Sequence, residues 1–204
     1  MAWPSFDQTR NGVAGSTTEL TMISTRTGIV LFVLAAAAGP LYTVPGYTAV
    51  GNLISELAAQ NTPRNVLMSG AFVALGVGIV ADGLRPFALA QAPFIAFGVC
   101  MALAGLFGHR PISSGVPYAE WAHTAHSALA TAAGISITVA FVWQAVRQPS
   151  PVRRAVAAAL AVLCLVLPLT MLSFPDVQGA IQRLMYLLIF TWLWLHYPRG
   201  SHGT

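Results

Sequence analysis

The sequence is poor in charged residues, and this scarcity excludes most kinds of soluble protein. Only 8% of its 204 residues are Asp, Glu, Lys or Arg, against about 25% in an ordinary soluble domain. Lysine is absent, so all ten cationic side chains are arginines. A normal water-exposed surface cannot be built from so few charges. A soluble enzyme and a disordered chain are therefore both excluded.

Clustered positive charge is also missing. The net charge is +4 and the isoelectric point is about 9.6, but the arginines are dispersed along the chain rather than grouped on one face. Nucleic-acid binding requires a basic patch or stripe. We therefore expect no nucleic-acid partner.

Cysteine is nearly absent. Cys100 and Cys164 each lie inside an apolar run, and their spacing matches no metal-binding pattern. Buried cysteines of this kind are usually inert packing residues. We expect no disulfide, no metal site and no cofactor.

Long apolar runs are what the sequence does contain. Hydrophobic residues make up 56% of the chain, and a membrane-spanning helix needs about 20 mostly apolar residues. Six windows qualify or nearly qualify: 28–44, 66–81, 86–107, 119–146, 155–174 and 179–197. They predict an all-α polytopic membrane protein with a six-helix domain over residues 27–198, flanked by polar tails at 1–26 and 199–204.

The first apolar run could also be read as a signal peptide. However, it starts late, after a polar segment that holds Asp7, Arg10 and Glu19. Pro40 also follows the alanine run where a cleavage site would need small residues. We therefore predict a first membrane helix with an uncleaved tail.

The arginines predict the orientation of the chain. Six spans place both termini and the loops after spans two and four on one side, and seven of the ten arginines lie there. The positive-inside rule makes this side cytoplasmic. Arginine without lysine and long alanine runs are typical of a GC-rich bacterium. We expect the bacterial inner membrane, with both termini in the cytoplasm.

The connection between spans one and two contains a short helical pattern. Residues 52–60 place Leu53, Leu57 and Gln60 on one helical face. The segment is too short and too polar to cross a bilayer. It predicts a short interfacial or re-entrant helix.

Polar side chains gather at the predicted outer ends of the spans. Because polar groups at membrane depth are costly, they usually mark a pathway or a site. We predict one outer pocket ringed by five candidate site residues: Glu56, His123, His126, Asp176 and Arg183.

The start of span four allows three interpretations. Glu120, His123 and His126 lie on one broad face of the predicted helix. They could cap the helix and face water, perform acid–base chemistry, or bind a metal. The start of span six is similarly open: Asp176 could cap that helix, and Arg183 needs a carboxylate partner, which we predict to be Asp176 or Glu56.

Several segments resemble a known family. The turn Pro45-Gly46-Tyr47 before Ile54-Ser55-Glu56-Leu57, the small-residue helix 68–78 and the final Gly179-to-Leu184 segment with Trp192 are similar to the bacterial "domain of unknown function 998" membrane proteins. His123 or His126 is similar to that family's fourth-helix histidine. The resemblance covers about residues 28–195 and implies six helices. One departure is Phe107-Gly108-His109-Arg110-Pro111, where the family tends to be acidic.

The polar outer pocket favours an intramembrane enzyme acting on a hydrophobic lipid or isoprenoid substrate. Glu56 or Asp176, with its pKa raised by desolvation, would act as the acid, and His123 or His126 as base or proton reservoir. Phe107, Tyr118 and Trp121 could then stabilise a carbocation, as in a terpene cyclase. A transporter is disfavoured because no inverted repeat is visible. A non-catalytic membrane partner is the third hypothesis.

Overall fold

The computed structural model describes residues 24–85 and 88–197, and over these ranges the chain is helical with no β-strand. The predicted all-α fold is confirmed. The predicted tails, apart from residues 24–26, lie outside the described residues. The six helices are α1 (Thr25–Tyr42), α2 (Asn65–Leu84), α3 (Ala92–Leu106), α4 (Glu120–Arg147), α5 (Pro151–Ser173) and α6 (Gln178–His196).

Five of these helices are long and apolar enough to cross a membrane: α1, α2, α4, α5, and α3 taken with the 3-10 turn before it. The chain is therefore a multi-pass membrane protein. The sixth helix has 19 residues, but Gln178, Gln182 and Arg183 make its first turns polar. It is part of the same bundle through its contacts with α5.

Local sequence fixes where helices begin. Ser24 caps α1, because its hydroxyl accepts the Thr27 N–H at 3.2 Å. Pro151 occupies the first position of α5, where the missing N–H costs nothing. Pro168 lies inside α5 and removes one backbone hydrogen bond there.

Each helix packs on the next one along the chain, and small residues allow the closest approach. A methyl group at Gly76 of α2 would collide with the Gly98 carbonyl of α3. A methyl group at Gly28 of α1 would lie 2.6 Å from Cα of Leu75. By contrast, the backbones of α1 and α6 lie close together at few points, so the ring of helices has one loose seam.

The centre of the bundle is aromatic. Phe32 packs edge-on against Phe72 and Phe190, with ring centroids 4.9 and 5.2 Å away. Phe94 stacks on Trp192 at 5.1 Å. Large apolar side chains also cover the outside, as expected of a surface that faces lipid.

The bundle has two ends, which we name by their acidic residues. The Glu56 end carries the connections 43–64, 107–119 and 174–177, together with the 3-10 helix Ile54–Ala58. This 3-10 helix is the short helix predicted between the first two spans. The Asp82 end carries the start of α1 and the end of α6. Which end faces the cytoplasm stays a prediction.

Candidate functional site

The five predicted site residues all lie at the Glu56 end, but they do not share one cavity. Three of them line three different cavities. The α4–α6 cavity, about 570 Å³, holds His126. The α1–α6 groove, about 720 Å³, holds Arg183. The polar cleft, about 500 Å³, holds Glu56.

His126 is the most deeply placed of the five, with 3% of its surface exposed. Its Nδ1 lies 2.9 Å from the Ala104 carbonyl oxygen and 2.8 Å from that of Phe107. Carbonyl oxygens only accept hydrogen bonds, so Nδ1 must carry the proton. The second ring nitrogen, Nε2, is therefore a free acceptor in neutral His126.

The α4–α6 cavity is apolar apart from a few groups. Thr131 and Thr138 also line it, but their hydroxyls donate to carbonyls of their own helix at 2.9 and 2.8 Å. Ser55, His126 and Gln182 are different. Within the described part of the chain, Ser55 Oγ, His126 Nε2 and Gln182 Nε2 have no hydrogen-bond partner.

The orientation of Gln182 follows from its neighbour. Its Oε1 accepts the backbone N–H of Ile54 at 2.6 Å, so the amide group must present its NH₂ to the cavity. The same bond ties α6 to the 3-10 helix. Gln182 thus positions a donor while holding two elements together.

The α4–α6 cavity opens sideways between α4 and α5. Its lining includes Ile135, Leu165 and Leu169, which are also 58–61% exposed on the outside of the bundle. Pro168 lies in the same wall, where it interrupts the hydrogen bonding of α5. An apolar molecule could therefore enter from the bilayer rather than from water.

Arg183 binds backbone rather than a carboxylate. Its Nη1 donates to the carbonyls of Ala49, Asn52 and Gly179 at 2.6–3.0 Å, and Nη2 donates to the Tyr47 hydroxyl at 2.6 Å. Among the residues that the structure describes, the ion pair Asp82–Arg85 is found, but none for Arg183. The predicted pairing with Asp176 or Glu56 is wrong, because nearby loop carbonyls supply the acceptors.

Glu56 stabilises the loop in which it lies. Its Oε2 accepts the Leu53 N–H at 2.7 Å, three residues back. Burial raises the pKa of Glu56, although hydrogen bonds from Asn52 and Leu53 and the charges of Arg110 and Arg183 oppose this rise. Its carboxylate faces the polar cleft with Arg110 and Tyr118.

His123 belongs to a group of three histidines. The rings of His109 and His123 meet edge to face at 4.6 Å between centroids, and His109 lies 5.5 Å from His126. Burial, together with the smaller effects of His126, His123 and Arg110, lowers the pKa of His109 to about 4, although the hydrogen bond to the Arg110 carbonyl opposes this shift. His109 is therefore neutral at physiological pH.

Neither Asp176 nor Glu120 caps a helix at this end. Asp176 is exposed, and no side chain caps α6 in the structure, so the predicted cap is absent. Glu120 is also exposed and does not cap α4. Within residues 24–85 and 88–197, no three His, Cys, Asp or Glu side chains are grouped as a metal site requires.

Three polar residues at this end were not predicted as part of the site. Ser55 and Gln182 line the cavity of His126. Gln60 joins two loops: its amide donates to the Gly108 and Ala119 carbonyls and accepts the Ala119 N–H at 2.8–3.1 Å. These three side chains are uncharged, and a sequence pattern of acidic and basic residues does not single them out.

Comparison with known proteins gives one result. The model of the family described as "Protein of unknown function (DUF998)" matches residues 27–197. No curated protein and no solved structure matches the chain.

Proposed function

The chain belongs to the DUF998 family, and we propose that it is an intramembrane enzyme that performs acid–base chemistry on a lipid or isoprenoid in the α4–α6 cavity. The description of the family names no activity, so the proposal depends on this cavity alone. The substrate is a largely apolar molecule with one polar group. The polar group would bind at Ser55, His126 and Gln182, and the apolar part would lie between α4, α5 and α6.

One observation carries this proposal: Ser55, His126 and Gln182 bring polar side chains to the wall of an otherwise apolar cavity. Ser55 Oγ, His126 Nε2 and Gln182 Nε2 are not fully buried, so a ligand in the cavity can reach them. Ser55 Oγ, His126 Nε2 and Gln182 Nε2 would each regain a bond from a ligand that brings one hydroxyl, carbonyl or ester group. Apolar cavities with a few convergent polar groups are the usual form of ligand sites.

His126 supplies the acid–base function. Its tautomer is fixed by the carbonyls of Ala104 and Phe107, so Nε2 can accept a proton from the substrate. When Nε2 is protonated, the two carbonyls remain bonded to Nδ1–H and stabilise the imidazolium. Gln182 would donate to an oxygen of the substrate and Ser55 would orient it.

This proposal changes the identity of the proton carrier. The sequence favoured a carboxylic acid, Glu56 or Asp176, that starts a cyclisation. In the described part of the chain, no acidic side chain lines the α4–α6 cavity. Phe107, Tyr118 and Trp121, the expected carbocation stabilisers, do not line it either. Histidine-based proton transfer therefore suits this cavity better than cyclisation does.

The first experiment compares His126→Gln with His123→Gln. Each variant is expressed in bacterial cells, and membrane lipids are profiled by mass spectrometry. We expect wild type and His123→Gln to give the same profile, because His123 does not line the cavity. His126→Gln should lose a product and accumulate its precursor, with a loss of at least about 100-fold in conversion, typical of a lost general base.

The second experiment fills the cavity without touching its polar groups. Gly134 lines the cavity, and a side chain there would meet no atom within 4 Å. Gly134→Leu should therefore expel the apolar part of the ligand. Gly70→Leu is the matched control, because Gly70 also has open space but lies outside the cavity.

The outcomes separate three possibilities. A ligand that co-purifies with wild type and not with Gly134→Leu supports binding in this cavity. If the lipid profile is the same for wild type and His126→Gln while the ligand still co-purifies, the protein is a non-catalytic lipid-binding partner. Equal co-purification with Gly134→Leu and Gly70→Leu would refute the site itself.

A further inference from the structure

The α1–α6 groove is a second site, distinct from the cavity of His126. It runs along the loose seam of the bundle and is lined by apolar side chains of both helices, including Ile29, Ala37 and Leu187. On α6 its lining extends from Arg183 to Leu195, which is about 18 Å at 1.5 Å per residue. The groove is therefore long, narrow and open to the bilayer.

Arg183 lies at one end of this groove, at the depth of the membrane interface. It is five residues after the start of α6 at Gln178, which is about 8 Å along the helix. Its Nη1 and Nη2 are used by carbonyls and Tyr47, but Nε has no partner among the described residues. The guanidinium is thus held rigidly with one N–H still available.

The charge of Arg183 has no carboxylate in contact. No carboxylate lies within 4.0 Å in the part of the chain that the structure describes, although the charge acts at longer range on Glu56. Carbonyl dipoles orient a cation, but they do not cancel its charge. A phosphate would bring a negative charge and could accept the remaining Nε–H as a charge-assisted hydrogen bond.

We propose that the α1–α6 groove binds one anionic phospholipid from the surrounding bilayer, with its phosphate at Arg183 and an acyl chain along the groove. The charge requirement selects an anionic lipid over a zwitterionic one, because only the former carries a net negative charge to match the arginine. The length and apolar lining of the groove select a lipid over free phosphate. This site does not depend on the activity proposed for the α4–α6 cavity.

The test uses the full chain, purified in detergent, stripped of lipid and examined by native mass spectrometry. Dioleoyl-phosphatidylglycerol and dioleoyl-phosphatidylcholine are titrated separately. We expect about a tenfold preference for phosphatidylglycerol, which corresponds to about 1.4 kcal/mol, because the choline cation of phosphatidylcholine offsets the charge of its phosphate. An equal affinity of wild type for the two lipids would overturn the proposal.

Two charge variants locate the headgroup. Arg183→Gln and Arg183→Lys both lose the guanidinium group that binds the carbonyls of Ala49 and Asn52. Only Arg183→Gln also loses the positive charge. We expect Arg183→Gln to bind both lipids equally and Arg183→Lys to keep part of the preference. A full preference in folded Arg183→Gln would place the phosphate elsewhere.

A pair of tryptophan variants locates the acyl chain and does not disturb Arg183. Ala37 is exposed and lines the groove, so Ala37→Trp fills it. Leu34 is on the same helix and exposed but does not line the groove, so Leu34→Trp is the control. We expect about a tenfold loss of lipid binding in the first variant only. Equal binding by both variants, or displacement of the lipid by inorganic phosphate at millimolar concentration, would exclude the acyl-chain contact.

Two further variants separate this site from the proposed activity. His126→Gln and Gly134→Leu alter the α4–α6 cavity and should leave the preference for phosphatidylglycerol unchanged. A loss of the preference in either variant would show that the lipid occupies the other cavity and would refute the groove as its site.

Discussion

The two ends of the bundle use their polar residues differently. At the Asp82 end, the carboxylate of Asp82 accepts the Thr25 N–H at 2.7 Å and pairs with Arg85 at 3.3 Å. The Tyr197 hydroxyl donates to the Ile79 carbonyl at 2.8 Å. Apart from the α1–α6 groove, which reaches Leu195, the cavity found near His196 is about 200 Å³. Thr25, Asp82 and Tyr197 make hydrogen bonds that hold this end of the bundle together, whereas Gln91 Oε1 is buried without a partner among the described residues.

At the Glu56 end, polar groups border open space. Arg183 binds carbonyls and has no carboxylate in contact among the described residues, and Ser55, His126 and Gln182 line a cavity of about 570 Å³. The difference shows that the presence of polar residues at membrane depth does not by itself mark a site. What distinguishes the Glu56 end is that its polar side chains line large cavities.

The largest effect on stability is expected at Asp82. Asp82→Ala leaves the Thr25 N–H without its acceptor inside a buried contact, and should lower the free energy of unfolding by about 3 kcal/mol. Arg85→Gln is the control, because the Arg85 side chain is 58% exposed, and it should cost less than about 1 kcal/mol. Chemical denaturation in detergent micelles measures both. Equal losses would mean that the Asp82–Arg85 ion pair, rather than the hydrogen bond from Thr25 N–H to Asp82, stabilises this end.

Acid should weaken the Glu56 end selectively. The pKa of His109 is about 4 in the folded chain and about 6.5 when unfolded. The unfolded chain therefore binds more protons between these values, and stability falls as the pH falls from 6.5 to 4, by on the order of 1–3 kcal/mol. The groups facing His109 are His123, His126 and Arg110.

His109→Gln should flatten this part of the pH profile, measured as the thermal midpoint at each pH. An unchanged slope in His109→Gln would assign the acid sensitivity to another group.

Gln60→Ala tests how the loops of the Glu56 end are held. The variant removes three hydrogen bonds to Gly108 and Ala119 and should cost about 1–2 kcal/mol, because each bond contributes about 0.5–1.5 kcal/mol and solvent replaces part of the loss. Hydrogen exchange in residues 108–118 should rise, while exchange at the Asp82 end stays the same. A uniform rise along the chain would show that the two ends unfold together.

The smallest effect is expected for Gly134→Leu and Gly70→Leu. Neither new side chain meets an atom within 4 Å of its Cβ, and leucine favours a helix over glycine by up to about 1 kcal/mol. Both thermal midpoints should stay equal to or slightly above that of the wild type. A marked loss for Gly134→Leu alone would mean that the α4–α6 cavity closes in solution.

The helices could be predicted almost entirely from the sequence. The predicted window 119–146 corresponds to Glu120–Arg147, and 179–197 to Gln178–His196. The length of an apolar run determines the position and extent of such a helix, because in a bilayer each helix must satisfy its own backbone hydrogen bonds. The window 86–107 was less accurate: α3 itself begins at Ala92, after a 3-10 turn at Leu89–Gln91.

The site could be predicted only as far as its end of the bundle. The order of the spans places five residues at the same end of the bundle, because each lies in a connection at that end or in the first turns of a helix that begins there: Glu56, His123, His126, Asp176 and Arg183. Sequence spacing could not show that the carbonyls of Ala49 and Asn52 would satisfy Arg183. Backbone acceptors carry no signature in the side-chain sequence, and the three-dimensional course of loop 43–53 decides where they point.

The α1–α6 groove is bridged by a hydrogen bond near each end, one from α1 and one to the connection that follows α1. Near one end, Arg26 donates to the Trp194 carbonyl at 3.2 Å, and at the other the Ala180 N–H donates to the Val50 carbonyl at 2.9 Å. If the α1–α6 groove holds a lipid, as proposed, the lipid would enter and leave sideways by two-dimensional diffusion within the bilayer. Its occupancy should then follow the mole fraction of that lipid in the membrane rather than the composition of the water on either side.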